Sequence, residues 1–575
     1  MENRFFKTLA FALLLGICSV ANGQVNLPDF DGQKNREQTS PDSQGVGGSD
    51  IDDISHRVRH QKGEDMAGAH NPGLDEAMPD MMPKDETYSL EQGNSRKKVA
   101  LKGTKVTIDN ITYDVARDTA IVYSGNSCSG AVTIPSSITS NGNTYCVTMI
   151  GHEAFRDCSS LTSITIPNSV ITIGYYAFSG CSSLKEFNVD DNNPYYCSEQ
   201  GVLFTKDKTN LIYYPNAKAT DYVIPNSVIT IGYAAFYGCS SLTSIIIPNS
   251  VTTIDFEAFS GCSSLTRVNI GNSVMTIGYY AFYGCSSLKE FNMDDNNPYY
   301  CSVQGVLFTK DKTTLICYPN AKGADYVIPN SVTTIGHAAF YGCSSLTPII
   351  IPNSVTTIGS WAFACCSSLT SVEIPNSVTT IDKSAFRECS SLTSVTIPNS
   401  VTTIDNYVFF KCSSLASITI PNSVTAIGES AFEGCNSLTS FSIPNSVTQI
   451  GNYAFYGCSS LTSVYCKIKK PLSIYSSTFT KVPLSSAKLF VPIGSRSAYS
   501  GARYWKNFAN IIEIDFSIKG DMNEDEMLNV SDATSLINHL LGTESLPNVT
   551  KADLNADGVV NVSDVTALIN LILAQ

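Results

Sequence analysis

The chain repeats one phrase every 23 residues: 161–183 reads L-T-S-I-T-I-P-N-S-V-I-T-I-G and on to C-S-S, and Leu184 then begins it again. A unit this short cannot bury an apolar face alone. Successive units must stack and share a core, which gives a solenoid with a broad flank for contact and favours recognition over catalysis. As a template the unit is L-x-x-I-x-I-P-N-S-V-T-T-I-G-x-x-A-F-x-G-C-S-S. The L-x-x-I-x-I part alternates and is β-branched, as a short strand requires. Proline ends that strand because it has no N–H for a ladder. V-T-T-I-G is expected to be a second short strand or turn, and A-F-x-G-C a single helical turn with Phe and Cys inward.

Cysteine measures the stack. Cys158, Cys181, Cys239, Cys262, Cys285, Cys343, Cys366, Cys389, Cys412, Cys435 and Cys458 are 23 apart except at two gaps of 58. The extra 35 residues at each gap, 188–222 and 292–326, share D-D-N-N-P-Y-Y-C and G-V-L-F-T-K-D-K-T. Each reads as a β-hairpin insertion with Lys-Asp-Lys at its tip, projecting as a side lobe. Solenoids need closed ends. Residues 104–146 are expected to form an N-terminal β cap, 147–466 the repeat solenoid and 467–517 a C-terminal cap.

These repeats resemble those of the BspA-like leucine-rich repeat proteins, which are bacterial surface proteins, over about 107–516. The resemblance implies a leucine-rich-repeat solenoid and adhesion to host, matrix or microbial surface proteins or glycans. The ligand stays open, since one fold hosts many functions.

Residues 1–23 begin with Arg4 and Lys7, continue with an apolar run over 9–17 and end Ala21-Asn22-Gly23, the layout of a secretory signal peptide. The expected location is therefore secreted or cell surface. Residue Ile17 before Cys18 disfavours a lipid anchor there, and no later stretch is long and apolar enough to span a bilayer. Polar residues 24–103 read as a disordered tether, with Met66, Met78, Met81 and Met82 incidental to it. A net charge of −14 and pI near 4.9 argue against a nucleic-acid partner, whose phosphates would be repelled. Nineteen cysteines in an exported chain suggest disulfides, but the ladder cysteines are better read as small buried thiols. Cys128 with Cys146 is the candidate cap disulfide. Cys301 with Cys317 is disfavoured because Tyr213 stands in place of the second cysteine in the sister insertion.

After Ile518 a different duplication begins, 32 residues apart, running from Asp521 to Asp532 and again from Asp553 to Asp564. Its acids and amides have calcium-loop spacing: positions 1, 3, 5, 9 and 12 supply hard oxygens, position 7 a carbonyl, and glycine at 6 the sharp turn. Each loop leads into a helix, over 531–541 and 563–573, with Leu536, Ile537 and Leu540, then Leu568, Ile569 and Ile572, on one side.

Together these EF-hand-like units over 518–575 resemble a type I dockerin, a small all-α calcium-binding module that plugs into a cohesin-bearing scaffold protein. The resemblance implies two calcium ions. Their ligands would be Asp521, Asn523, Asp525, Met527 (carbonyl), Asn529 and Asp532, and Asp553, Asn555, Asp557, Val559 (carbonyl), Asn561 and Asp564. Glu526 departs from the expected glycine at a cost of about 1 kcal/mol if φ is positive, so the first site should be weaker. Partner contacts carry over to Val530, Ser531, Asn538 and His539 and to Val562, Ser563, Asn570 and Leu571, which differ from the pairs in the best-known members.

Catalysis needs converging acid, base or nucleophile, and no such set is apparent. Of six histidines, His56, His60 and His70 are in the tether, His152 and His337 at variable repeat positions and His539 on a dockerin helix. No G-x-S-x-G, H-E-x-x-H or phosphate loop occurs. Binding candidates are the outward strand positions Ser163, Glu186, Ser244, Arg267, Glu290, Ser371, Glu373, Ser394 and Ser417. A second set flanks A-F: Tyr175, Tyr176, Tyr233, Tyr237, Tyr279, Tyr280, Tyr283, Tyr341, Trp361, Tyr407, Tyr453 and Tyr456. These rings can meet a sugar or protein, or pack between turns. The chain thus reads as a non-catalytic recognition protein, or alternatively as an accessory subunit of a polysaccharide-degrading multienzyme complex.

Overall fold

The structure is a computed structural model that describes residues 103–125, 128–218, 222–523 and 528–574. The expected signal peptide, the tether up to 102, and Asp525, Glu526 and Met527 lie outside the described residues.

Each 23-residue unit makes one rung, and neighbouring rungs are bonded on up to three sides. The I-x-I segments pair in parallel, with Ser371, Val372 and Glu373 opposite Ser394, Val395 and Thr396. The T-I segments form a second parallel ladder of two-residue strands, as in Thr357–Ile358 beside Thr380–Ile381. A third set of bonds links the A-F turns: Phe363 N–H donates to Ala385 O at 2.8 Å and Phe340 N–H to Ala362 O at 2.7 Å. Alternation along the I-x-I strands sends Val372 and Val395 inward and leaves Ser371, Glu373 and Ser394 exposed.

The expected helical turn at A-F-x-G-C is instead a string of tight turns. The residue before each A-F (or its equivalent) has positive φ, from Glu153 at 53° to Trp361 at 61° and Tyr453 at 57°, which no α-helix tolerates. The position before the ladder cysteine is also left-handed, which is why it is usually glycine, such as Gly261 at 73°. Asp157, Cys365, Glu388 and Lys411 take the same conformation without that freedom.

Phenylalanine rings stack from rung to rung beneath these turns, Phe363 on Phe386 at 5.3 Å and 4° and Phe386 on Phe409 at 5.7 Å and 6°. The ladder cysteines are buried, as expected, and their thiols do more than fill space. Where the preceding rung carries the ladder Phe, the S–H donates to that residue's carbonyl: Cys389 to Phe363 at 3.1 Å, Cys412 to Phe386 at 3.1 Å and Cys435 to Phe409 at 3.2 Å; Cys239 and Cys343, which follow the insertions, donate to Tyr214 O and Tyr318 O at 3.7 and 3.9 Å. All eighteen described cysteines are free thiols, so the candidate Cys128–Cys146 disulfide is not formed; Cys128 is buried and Cys146 exposed. Cys128 donates toward Asn110 O at 3.7 Å instead.

The two insertions are not side lobes. In the first, Tyr196–Glu199, Val202–Thr205 and Asn210–Tyr213 form an antiparallel sheet with Lys206, Asp207 and Lys208 at the hairpin tip. Its last strand joins the T-I ladder beside Thr230–Ile231, and Tyr214 takes the place of a ladder Phe, stacking on Phe236 at 4.9 Å. The insertion therefore contains a degenerate rung and acts as a septum: Leu203 and Tyr213 pack into the core before it, Val202, Phe204 and Tyr214 into the core after it. The second insertion divides the next two cores in the same way, through Leu307 on one side and Val306 and Phe308 on the other. Fully buried Asn193 pins the first septum. Its amide donates to Pro167 O (2.8 Å) and Val170 O (3.0 Å), and its oxygen accepts from Tyr195 N and Tyr196 N, both at 2.9 Å. Asn297 repeats this role with Gly271, Val274, Tyr299 and Tyr300.

At the C-terminal side the I-x-I ladder continues through Lys488–Pro492 and Asn510–Ile514. Buried Tyr499 and Trp505 cover the last core, the phenol donating to Ile468 O at 2.7 Å and the indole to Leu472 O at 2.8 Å. Among the described residues no helix is long and apolar enough to cross a membrane.

Candidate functional site

The C-terminal duplication folds as two loop-helix units. Their helices, Val530–Leu540 and Val562–Leu573, start one residue earlier than the sequence pattern predicts. Each start is fixed by a capping box. Asn529 accepts from Ser531 N (2.8 Å) while Asp532 accepts from Asn529 N (2.8 Å); Asn561 accepts from Ser563 N (2.7 Å) while Asp564 accepts from Asn561 N (2.9 Å). Both aspartates are fully buried and also accept from the start of their own loops, Asp532 from Met522 N and Asp564 from Leu554 N, at 2.9 and 2.8 Å. Burial opposes ionisation of Asp564, but backbone N–H bonds from Asn561, Asn555 and Leu554 hold its carboxyl below the ordinary carboxylate value.

In the second loop the side-chain oxygens turn inward onto the loop's own amides. Asp553 accepts from Asp557 N (3.1 Å) and Gly558 N (2.8 Å), Asn555 from Asp557 N (2.9 Å), and Asp557 from Val559 N (2.9 Å). Gly558 has φ of 88°, as the sharp turn requires. This all-oxygen donor set suits a hard divalent cation. Asp553, Asn555, Asp557 and the Val559 carbonyl would hold it, and Asn561 and Asp564 close the loop as helix caps. In the first loop Asp521 is buried and Asn523 half-buried, its amide donating to Ser531 Oγ at 3.0 Å. Among the described residues no cluster of three or more His, Cys, Asp or Glu forms a metal site, and the donor set here relies on Asn and carbonyl oxygens as well.

The surface of this module differs from the sequence reading. Leu536 and Leu568 are buried, but Ile537 and Ile569 face outward. Ile537 (41% exposed) continues a stripe from Val530 (72%) to Leu541 (71%), and Ile569 (43%) one from Val562 (73%) to Leu573 (79%). The two stripes are copies 32 residues apart. Spacing of i, i+7, i+11 with apolar residues was the available signal. Ser531, Ser563 and Asn570 are exposed beside them. Asn538 and His539 are half-buried and engage Glu544, at 3.1 and 3.3 Å, while Leu571 packs partly against the module's own core.

On the solenoid, Glu186, Ser244, Arg267, Ser371, Glu373, Ser394 and Ser417 are exposed, and Ser163 and Glu290 are half-buried. Arg267 and Glu290 pair across neighbouring rungs. The aromatic set divides between its two readings. Tyr176 and Trp361 are buried joints; Tyr233, Tyr237, Tyr280, Tyr283, Tyr341, Tyr407 and Tyr456 are half-buried; Tyr175, Tyr279 and Tyr453 are exposed. At the first septum Tyr233 donates to Tyr176 (2.7 Å) and Tyr176 to Glu257 (2.6 Å). Burial pushes the Glu257 carboxyl above its ordinary value, against that hydrogen bond. His152 is exposed, and His337 packs between Tyr279 and Tyr280 at ring distances of 4.6 and 4.8 Å. Arg387, missed in the sequence, lies buried between the rings of Trp361 and Phe410, 5.2 and 4.3 Å away.

No curated protein sequence matches the chain. Similar solved structures include a leucine-rich cell surface protein from Faecalibacterium prausnitzii A2-165 (28% identity over 60% of this chain and 94% of that one, TM-score 0.41). Another is a leucine-rich repeat protein from Bacteroides ovatus ATCC 8483 (27%, 71% and 100%, TM-score 0.35). A third is the pneumococcal vaccine antigen PcpA (22%, 72% and 99%, TM-score 0.38). The model of the BspA type leucine rich repeat region matches 128–200, 209–306, 316–438 and 381–499, and that of the dockerin type I domain matches 519–573. Both are typically non-catalytic modules, type I dockerins bind calcium in general and imply a cohesin partner, and no catalytic domain is evident. Matched by its repeats over more than half of its length, the chain belongs to the BspA-type leucine-rich repeat family and carries a type I dockerin domain at its C-terminal end.

Proposed function

We propose that this is a secreted or cell-surface recognition protein whose solenoid binds a protein or glycan while its dockerin docks, with calcium, into a cohesin-bearing scaffold. The observation that carries the docking half is the pair of exposed apolar stripes, Val530-Ile537-Leu541 and Val562-Ile569-Leu573. Apolar side chains at this exposure in two equivalent places suit a partner that buries them. Partner contacts then centre on Val530, Ser531, Val562 and Ser563, with Asn538, His539, Asn570 and Leu571 at the far ends of the helices.

Two calcium ions fold the loops, through Asp521, Asn523, Asp525, Met527, Asn529 and Asp532 and through Asp553, Asn555, Asp557, Val559, Asn561 and Asp564. The first is the weaker because Glu526 stands where Gly558 takes φ of 88°. Capture of the full chain by a panel of immobilised cohesins, with calcium and with chelator, tests the proposal. Calcium-dependent capture is expected, and Val530→Asp combined with Val562→Asp should abolish it. Capture by no cohesin, or capture indifferent to chelator, removes the docking function. On the solenoid, exposed Tyr175 and Tyr279 favour a glycan, and with it the role of accessory subunit in a polysaccharide-degrading complex. Binding to polysaccharides rather than to matrix proteins would select that reading.

A further inference from the structure

The two septa are copies 104 residues apart, and they differ where they meet the preceding rung: Tyr213 becomes Cys317 and Tyr233 becomes His337. In the first septum Tyr213 is a built-in occupant. Its ring is 6% exposed and meets Phe178 edge-on at 5.5 Å. Its hydroxyl accepts from Ala177 N at 3.1 Å and donates toward Gly174 O at 3.4 Å. The residues equivalent to that surround are Phe282, Ala281 and Gly278. All three, with Cys317 and His337, line a cavity of about 120 Å³.

We propose that this cavity is a binding site for a free monocyclic phenol, whose ring takes the place Tyr213 fills in the sister septum and whose hydroxyl meets the Gly278 carbonyl and Ala281 amide. The volume is of the order that holds a single benzene ring in a protein core, about 150 Å³. The walls are aromatic and aliphatic, with Tyr280, Phe282, Tyr283 and Ile316 around the ring. His337 adds an unpartnered polar atom that the first septum lacks. Its Nε2 is buried and has no hydrogen-bond partner, whereas Tyr233 in the equivalent place donates to Tyr176. Burial, and to a lesser extent Lys383, push the His337 pKa down to about 4, so the ring is neutral and offers the phenol's single O–H an acceptor alternative to the Gly278 carbonyl. Access exists too. Gly174 and Tyr176 are buried, but Gly278, Tyr280, Cys317 and His337 are each partly open to solvent.

The probe is 4-methylphenol, titrated calorimetrically into the full chain. One saturable equivalent is expected. Cys317→Tyr, which installs the sister septum's own residue, should weaken it at least tenfold. A second measurement needs no variant: 4-methylphenol should slow alkylation of Cys317 several-fold while leaving Cys301, the other half-buried thiol of that septum, unchanged. Binding that survives Cys317→Tyr, or the lack of any protection of Cys317, overturns the site. Toluene binding as tightly as 4-methylphenol overturns the role of the hydroxyl. Tighter binding of N-acetyltyrosine amide overturns the small-molecule assignment in favour of a partner's tyrosine side chain.

Discussion

The solenoid and the dockerin are both built from duplicated units, and they hold those units together by opposite means. In the solenoid the residues that recur unchanged in the interior are apolar or weakly polar: Phe363, Phe386 and Phe409 stack, and Cys389, Cys412 and Cys435 donate to backbone carbonyls. In the dockerin the recurring interior residues include carboxylates, Asp532 and Asp564, each accepting three backbone N–H bonds. Burial can be extended indefinitely by adding rungs. Capped loops close on each other and end. One arrangement depends on excluded water and the other on ionised oxygen, so the two should fail under different insults.

The largest effect expected is from Phe386→Ala, which removes a ring stacked on both sides and should cost about 3–5 kcal/mol. Hydrogen exchange should show faster opening of rungs around 363–432 with the dockerin amides unchanged; equal acceleration in both would break the contrast. Asp564→Ala leaves Leu554, Asn555 and Asn561 N–H without their acceptor and should cost about 2–4 kcal/mol, confined to the dockerin. The same exchange experiment reads it.

Acid should then separate the regions by sign. The folded Asp564 pKa lies below its unfolded value of about 3.9, so its stabilisation is complete above that and lost as pH falls through the folded value. Asp255, Glu257 and Asp382 are raised by burial, so the folded solenoid takes up protons first. It therefore gains stability as pH falls through those folded values toward about 4. Protection measured in saturating calcium at pH 6, 4 and 3 should rise near Glu257 between the first two and fall in the dockerin between the last two. Parallel trends would remove the distinction. The smallest effect sharpens the rung geometry. Lys411→Gly relieves a left-handed residue at φ of 54° and should stabilise by up to about 1 kcal/mol, less the contact of Lys411 with the Phe410 ring.

Features written into every copy were legible in the sequence. The strand, the proline that ends it, the inward Phe and Cys, the degree of stacking and the spacing of loop oxygens all follow from what recurs. What was illegible depends on where one copy meets another. The thiol of Cys389 reaches the carbonyl of Phe363, 26 residues earlier, an offset no local pattern encodes. The left-handed residue before A-F had no glycine to announce it: Tyr176, Trp361 and Ser384 all occupy that place. Asn193 was visible within D-D-N-N-P-Y-Y, but only the fold shows it buried against Pro167 and Val170. In the dockerin the ligand spacing was readable, whereas the outward turn of Ile537 and Ile569 was set by how the two helices pair.

Three-sided bonding between successive rungs has an evolutionary corollary. Away from the two septa, each rung's backbone hydrogen bonds reach only the one before and the one after, as Thr380 pairs with Thr357 and Ala385 O receives Phe363 N. Recombination between near-identical gene segments can therefore delete or insert 23 codons, and the flanking rungs close over the change with their registers intact. A lineage can lengthen or shorten its reach in quantised steps while leaving the terminal covers and the docking plug untouched.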